Sequence, residues 1–488
     1  MFERLKLRFR RCRRLRANRL ADVPYPNPTL NSAIIFQNRH NHGVNLGSLF
    51  VLERWIYDSM FQYGGDNEHA GIKKMMDAIG YEATADRLRR HYENYMAHID
   101  WDWLQSIGVT AVRLPVGYWH INNGMYTAGF VFDDVRLVYM NARPWDYVRT
   151  LIQEAGRRNI GVLIDMHGLP GGANGEHHSG EGVEASFFKS VRNMDTVCNT
   201  MIPFVVQDLR GFANVVGLQV VNEAVYDYAA EGQKYYYERA VNAVRSNSVC
   251  LPVVISDGWS PDQWSKWIND RGLSNDIVID THVYRCYSDD DKSKSVQQLT
   301  DDLKDTVRLD RDGADFVVGE FSCVLDGESW AKTSGDRDQL IKNFGHEEVR
   351  VFNNNANVGW FFWTYQFEHG DGGEWGFVPM VHHGNLPTRP RLSIPDVENR
   401  IRQMVSNHVS FWRDKGGDRM EHWRFEEAVR RTAADILAFD RFDHSRIGRV
   451  HYWRSVRRAQ YIRERGDSSY MWEWDQGFDQ AISEFNKF

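Results

Sequence analysis

Cysteine is scarce and odd in number: Cys12, Cys198, Cys250, Cys286 and Cys323 are the only five in 488 residues, and no two stand in C-x-x-C spacing. Neither a disulfide framework nor a cysteine-based zinc site is implied. No run of about 18 apolar residues occurs and no apolar segment opens the chain, so neither a membrane-spanning helix nor a secretory leader is expected. The one N-x-[ST] match, Asn27-Pro28-Thr29, carries the proline that blocks glycosylation. Together these absences predict an intracellular, reduced protein, with cell-surface export by a non-classical route the weaker alternative. Missing too are the G-x-x-x-x-G-K-[ST] order of a phosphate cradle, the HExxH pair, internal repeats and low-complexity runs. Histidine pairs occur at His40 and His42, His177 and His178, and His382 and His383, but not in metal-ligand spacing, so no metal and no cofactor is expected.

Charge of one sign is also lacking overall. A formal net charge of −7 on 26% charged residues argues against a nucleic-acid partner. The distribution is uneven, since residues 1–20 carry nine Lys and Arg against Glu3 alone. This basic tail is read as a solvated segment. Weak contact with an anionic lipid surface through Phe2, Leu5, Phe9 and Cys12 at helical spacing is a second reading, and a mitochondrial-type address a third. What the chain does have is apolar and aromatic mass: 42% hydrophobic residues, 17 Trp and 21 Tyr suffice for one large α/β domain and a smaller one, and broad aromatic faces suit sugar rings.

From Gly43 a strand-helix rhythm begins. Short apolar runs ending in polar or aromatic residues predict strands at 43–47, 109–116, 161–166, 215–221, 252–256, 276–280, 315–319 and 359–363, and eight such strands make a (β/α)8 TIM barrel. Helical periodicity over 146–158, 196–209 and 234–246 supplies crossovers, with Tyr147, Leu151 and Ala155 on the apolar face of the first. The glycine-rich stretch after His167 is a loop. Residues 394–415 read as the closing helix of the barrel. The expected organisation is a tail over 1–30, a barrel over 31–415 and a helical C-terminal appendage over 416–488, whose Trp423, Trp453, Trp472 and Trp474 call for burial.

The chemistry concentrates at strand ends, where a barrel of this kind places its active site. The fourth strand runs into Asn222-Glu223 and the seventh into Glu320, so two carboxyls reach one cleft. That pair is the minimum for glycoside hydrolysis, one group protonating the leaving oxygen while the other attacks the anomeric carbon, and retention needs them about 5–5.5 Å apart. Arg113, His167, His282, Tyr284 and Trp363 close four other strands. A cation beside the nucleophile would hold it ionised, leaving the other carboxyl, less compensated, as the acid.

These stretches resemble the family 5 glycoside hydrolases, in particular their fungal exo-β-1,3-glucanase branch of intracellular type. The resemblance runs from about His42 to Pro390 and rests on GVNLGSLFVLERW (43–55), VRLPVGYWHI (112–121), IDMHGLPGGANGEHHSG (164–180), VVNE (220–223), IDTHVY (279–284), VVGEFS (317–322) and GWFFWTYQFEHGDGGEWGF (359–377). It implies a barrel enzyme with Glu223 as acid/base and Glu320 as nucleophile. It further implies that Asn222 binds the sugar 2-OH, that Arg113 and Tyr284 orient Glu320, and that Trp363 floors the reacting subsite. Glu53 would grip the terminal sugar beside His167, and His282 completes the set. Ala224 stands where that branch carries proline, which is expected to loosen the turn after the acid/base.

The expected activity is a retaining exo-β-1,3-glucosidase acting on β-glucan or β-gluco-oligosaccharides. A β-glucosidase of glucosyl lipids, steryl glucoside or glucosylceramide, keeps the mechanism and changes the leaving group. A non-catalytic sugar-binding barrel is the reading from another class, and it predicts a missing carboxylate.

Overall fold

Eight of the apolar runs do form strands, and they pair in chain order. The computed structural model describes residues 30–487 apart from 249, 274–275, 308, 310–312, 390–393 and 416–419; the basic segment 1–20 lies outside the described residues. The strands are β1 (Asn41–Asn45), β2 (Ala111–Gly117), β3 (Gly161–Gly168), β4 (Val215–Gln219), β5 (Val253–Ser256), β6 (Ile277–Val283), β7 (Asp315–Phe321) and β8 (Gly359–Phe362). Each is parallel to the next, and β8 returns to β1 through Asn41↔Gly359 and Val44↔Phe362, closing a (β/α)8 barrel. Nearly every strand residue is buried, as expected of parallel strands covered by helices on one side and filled by side chains on the other.

The strand period of two decides which residues enter the barrel. Val112, Leu114 and Val116 share one face of β2 and Arg113 takes the other. Asp165 and His167 on β3, and Asp280 and His282 on β6, repeat the same i, i+2 spacing. The register pairs Asn45 with Arg113 and Asp165 with Gln219, so a polar layer gathers near the carboxyl ends of the strands.

Two crossover helices depart from expectation for local reasons. The helix expected over 146–158 runs over Pro144–Gly156, because Pro144 is pre-organised for the first turn; its buried stripe is Trp145, Val148, Leu151, Ile152 and Ala155 rather than one through Tyr147. The single helix expected over 196–209 is a helix Val191–Thr196, a π-turn Val197–Met201 and a helix Ile202–Leu209. Pro203 has no N–H to bond back four residues, and the chain responds with a wider turn that closes through Ile202 N–H to Val197 O.

The chain divides into two compact units, one of them Asn41–Arg389. The other contains the helices Ser32–Asn38, Val397–Trp412, His422–Asp440, Val450–Arg465 and Met471–Phe485. The expected boundary at residue 415 is therefore corrected: the helix Val397–Trp412 is not the barrel's closing helix but part of the second unit. The expected start of the barrel at residue 31 moves likewise, with Ser32–Asn38. Ile35 and Ile401 belong to the same apolar cluster as Phe425, Phe439, Trp453, Trp474 and Phe478. Of the four tryptophans expected to be buried there, Trp453 and Trp474 are, whereas Trp423 is 44% exposed.

Candidate active site

Arg113 organises the carboxyl end of the barrel. Its Nε donates to Gln219 Oε1 (2.9 Å), Nη1 to Asn45 Oδ1 (2.9 Å) and Glu320 Oε1 (2.8 Å), and Nη2 to Asn222 Oδ1 (2.7 Å). Asp165 Oδ2 lies 3.1 Å from Nη2, and the side chain is fully buried. Burial alone would make the guanidinium a stronger acid, but Asp165, Glu320 and Asp280 around it hold it above its ordinary value.

Glu320, on β7, takes its second donor from Tyr284, whose hydroxyl reaches Oε2 at 2.8 Å. Burial first, and the negative charge of Glu320 second, keep the Tyr284 proton on its oxygen. Glu223 stands four residues beyond β4 in a left-handed conformation, φ +39°, which a residue with a Cβ adopts only when its surroundings impose it. Two contacts do so: Asn174 Nδ2 donates to the Glu223 carbonyl (3.0 Å) and the Ala224 N–H donates to Ser256 Oγ (3.0 Å). Alanine supplies here an N–H that proline lacks, and that N–H ties the turn to Ser256.

His282 lies between the two glutamates. Its Nδ1 is 2.8 Å from Glu223 Oε1 and 3.5 Å from Glu320 Oε2, while Nε2 is 3.0 Å from Asp280 Oδ2. An oxygen of Glu223 and one of Glu320 fall within 4.8 Å of each other. Burial would lower the basicity of His282, but Glu320 and Asp280 raise it well above an ordinary imidazole. Glu223 differs from expectation. Burial pushes its carboxyl up, yet His178, 3.0 Å from Oε2, and His282 on Oε1 hold it well below the usual carboxylate range. It is the more compensated of cleft carboxyls by imidazole contacts, not the neutral acid that strand ends alone suggested.

The remaining expected residues gather at the same place. His167 Nδ1 bonds Asp165 Oδ2 (2.7 Å) and its Nε2 faces Asn222 Nδ2 at 3.3 Å, so the Asn222 amide bridges Arg113 and His167 and keeps one amide hydrogen to offer. Trp363 follows β8 and stacks on His167, with ring centroids 6.1 Å apart at 15°. Glu53, from the loop after β1, accepts from Trp55 Nε1 (2.8 Å); burial raises its carboxyl, opposed by His178 and His167. Glu53, His167, Asn222, Glu223, His282, Tyr284, Glu320 and Trp363 line one cleft of about 900 Å³, and the buried Arg113 lies beneath it. Trp55, Trp259, Trp375 and Tyr287 add aromatic faces.

Strand-end reasoning passed over His178, Asp165, Asp280, Gln219 and Asn45. Asp165 and Asp280 had a signal, since each stands two residues before a chosen histidine in I-D-x-H and shares its face. His178 had none beyond its loop.

A family model described as cellulase (glycosyl hydrolase family 5) matches residues 76–369, and one described as the C-terminal domain of glucan 1,3-beta-glucosidase 3 matches residues 396–488. An uncharacterized glycosyl hydrolase of Saccharomyces cerevisiae is 45% identical over 472 residues, 95% of this chain and 94% of the relative. Glucan 1,3-beta-glucosidase 3 of Schizosaccharomyces pombe is 30% identical over 93% of this chain and 96% of its own length. Among solved structures, a rutinosidase from Aspergillus niger superimposes with a TM-score of 0.56 at 19% identity, over 72% of this chain and 98% of that one, a likeness of fold.

Proposed function

The chain belongs to glycosyl hydrolase family 5, and on that premise we propose that it is a retaining exo-β-1,3-glucosidase releasing glucose from β-glucans and β-gluco-oligosaccharides. The observation that carries this reading is the Glu223–Glu320 pair, with oxygens within 4.8 Å across His282. So close an approach of the two carboxylates suits direct attack of one of them on the anomeric carbon.

In this reading Glu320, fixed by Arg113 and Tyr284, attacks C1 while Glu223 protonates the leaving oxygen, giving a covalent glucosyl-enzyme; Glu223 then takes a proton from the water that releases glucose. The free amide hydrogen of Asn222 serves the 2-OH, a contact that strengthens as charge develops at C1. Trp363 provides the floor under the sugar, and Glu53 grips the hydroxyls of its non-reducing end, which makes the action exo.

A glucosyl-lipid substrate is the second reading. It is supported by the exposed apolar side chains on the loops after β4, β5 and β6, namely Val225, Tyr226, Tyr228, Trp259 and Tyr287. Purified protein is assayed on laminari-oligosaccharides and on steryl glucoside: glucose from the former supports the glucan reading, and turnover of the lipid alone overturns it. Either Glu223→Gln or Glu320→Gln is expected to lower turnover by roughly 10³-fold or more; full activity in Glu320→Gln would remove it as nucleophile.

Contact of residues 1–20 with anionic lipid is a separate proposal, supported by their nine basic residues. Vesicle binding should fall with salt and on deleting the segment. The free thiols of Cys198, Cys286 and Cys323 support a reduced, intracellular setting.

A further inference from the structure

His178 comes from the loop after β3, in a single 3-10 turn, His177–Ser179, that closes on Gly180. Gly180 has φ +84°, and a Cβ there would come within 2.1 Å of Trp119, so this turn requires glycine. Asn174 of the same loop holds the Glu223 carbonyl through Nδ2 and bonds the Glu176 N–H through Oδ1 (3.0 Å). One loop therefore grips both the main chain and the carboxylate of Glu223. The ring nitrogen facing Glu223, Nε2, lies 3.0 Å from Oε2, whereas Nδ1 is buried without a hydrogen-bond partner among the described residues.

We propose that His178 is the proton-holding partner of Glu223, carrying on Nε2 in the resting site the proton that Glu223 delivers to the leaving oxygen. The proposal rests on the assignment of Glu223 as acid/base. His282 is a poorer holder. Its Nδ1 is shared between Glu223 and Glu320 and its Nε2 is bound to Asp280, so losing a proton would leave three carboxylates facing one another. His178 pairs with Glu223 alone, its Nε2 lying 3.0 Å from Oε2. The other charged groups that act on it are Glu53 and Glu320, and His167 packs edge-on against its ring at 5.2 Å. Burial opposes the charge on His178, but Glu223, Glu53 and Glu320 push its titration up to about 9, in keeping with the geometry.

The step balances without a co-reactant. The Nε2 proton passes to Glu223 Oε2, and Glu223 protonates the glycosidic oxygen as the C1–O bond breaks with its electron pair on oxygen and Glu320 bonds to C1. In the second half, water bonds to C1 as the C1–Glu320 bond breaks, its proton passes to Glu223, and from there to His178. His178 is thus a positioning residue for a proton and does not itself touch the reacting carbon.

Two measurements test it on the full chain. In the first, the His178 imidazole is titrated by NMR in wild type and in Glu223→Gln; it should titrate near 9 in wild type and fall towards about 6.5 in the variant. An ordinary value in wild type overturns the proposal. In the second, pH profiles of kcat/KM are taken for wild type and His178→Gln on laminaribiose and on dinitrophenyl glucoside, whose leaving group needs no proton. The variant should lose about tenfold or more on laminaribiose at the basic limb, and less than about threefold on the activated substrate. Equal losses on both at every pH would make His178 merely structural. If wild type hydrolyses no β-glucoside, the glucosidase reading fails, and the titration still decides where the proton resides.

Discussion

Of the five N–H donors of Arg113, four are hydrogen-bonded, to Gln219, Asn45, Glu320 and Asn222, and Asp165 pairs with Nη2 at 3.1 Å. A lysine keeps the charge but offers three donors. Arg113→Lys is expected to cost about 1–3 kcal/mol for each buried acceptor left unpaired, read as a lower midpoint in urea, and to reduce turnover by at least about tenfold because Glu320 loses its orientation. Retention of both wild-type values would show that the fork geometry is dispensable. At this scale the sequence was legible where a polar residue ends an apolar strand, as with Arg113, Glu223 and Glu320. It was less so where function depends on what a side chain leans against. The imidazoles that reverse the effect of burial on Glu223 come from β6 and from a glycine-rich loop 45 residues upstream in sequence, a proximity that no local pattern encodes.

Among the elements, the eight strands could be read because most are short apolar runs that are buried along their length, whereas helix ends depended on single residues such as Pro144 and Pro203. That the helix Val397–Trp412 packs in the second unit and not on the barrel is beyond local pattern for a general reason: amphipathic periodicity shows that a face is buried, not which core receives it. The turn after β4 gives a prediction at this scale. Ser256 Oγ accepts from the N–H groups of Ala224 (3.0 Å) and Gly258 (3.2 Å), joining the loops after β4 and β5. Ser256→Ala should therefore cost about 1–3 kcal/mol by leaving buried donors unmet, and adding Ala224→Pro should recover part of that loss by deleting one donor. Thermal midpoints of the two single variants and the double variant form a cycle; strict additivity would show that the two positions are not coupled.

For the whole molecule, stability rests on two separate cores, and each offers a test. In the C-terminal unit Asp435 accepts from Trp453 Nε1 (2.9 Å) and from both Arg457 Nε (2.7 Å) and Nη2 (2.6 Å), all buried. Asp435→Ala strands that arginine and should destabilise the unit by about 3–5 kcal/mol, seen as an early unfolding transition by calorimetry; an unchanged profile would refute the role of this pair. In the barrel, burial pushes the Glu181 carboxyl up to about 7, opposed by donation from Tyr118 and Gly171. Since its folded value lies above the unfolded one, native protein binds the extra proton, and this contribution to stability is full below about 4.5 and lost as pH rises through about 7. Between pH 5 and pH 8 the thermal midpoint of Glu181→Gln should gain on wild type by a few degrees; a constant difference would mean that Glu181 does not titrate in this window. The claim on which the functional account depends is retention by the Glu223–Glu320 pair, and it is tested most directly by following laminari-oligosaccharide hydrolysis by proton NMR. The account predicts that β-glucose appears first and the α-anomer only later by mutarotation, whereas α-glucose as the first product, or no release of glucose, would contradict it.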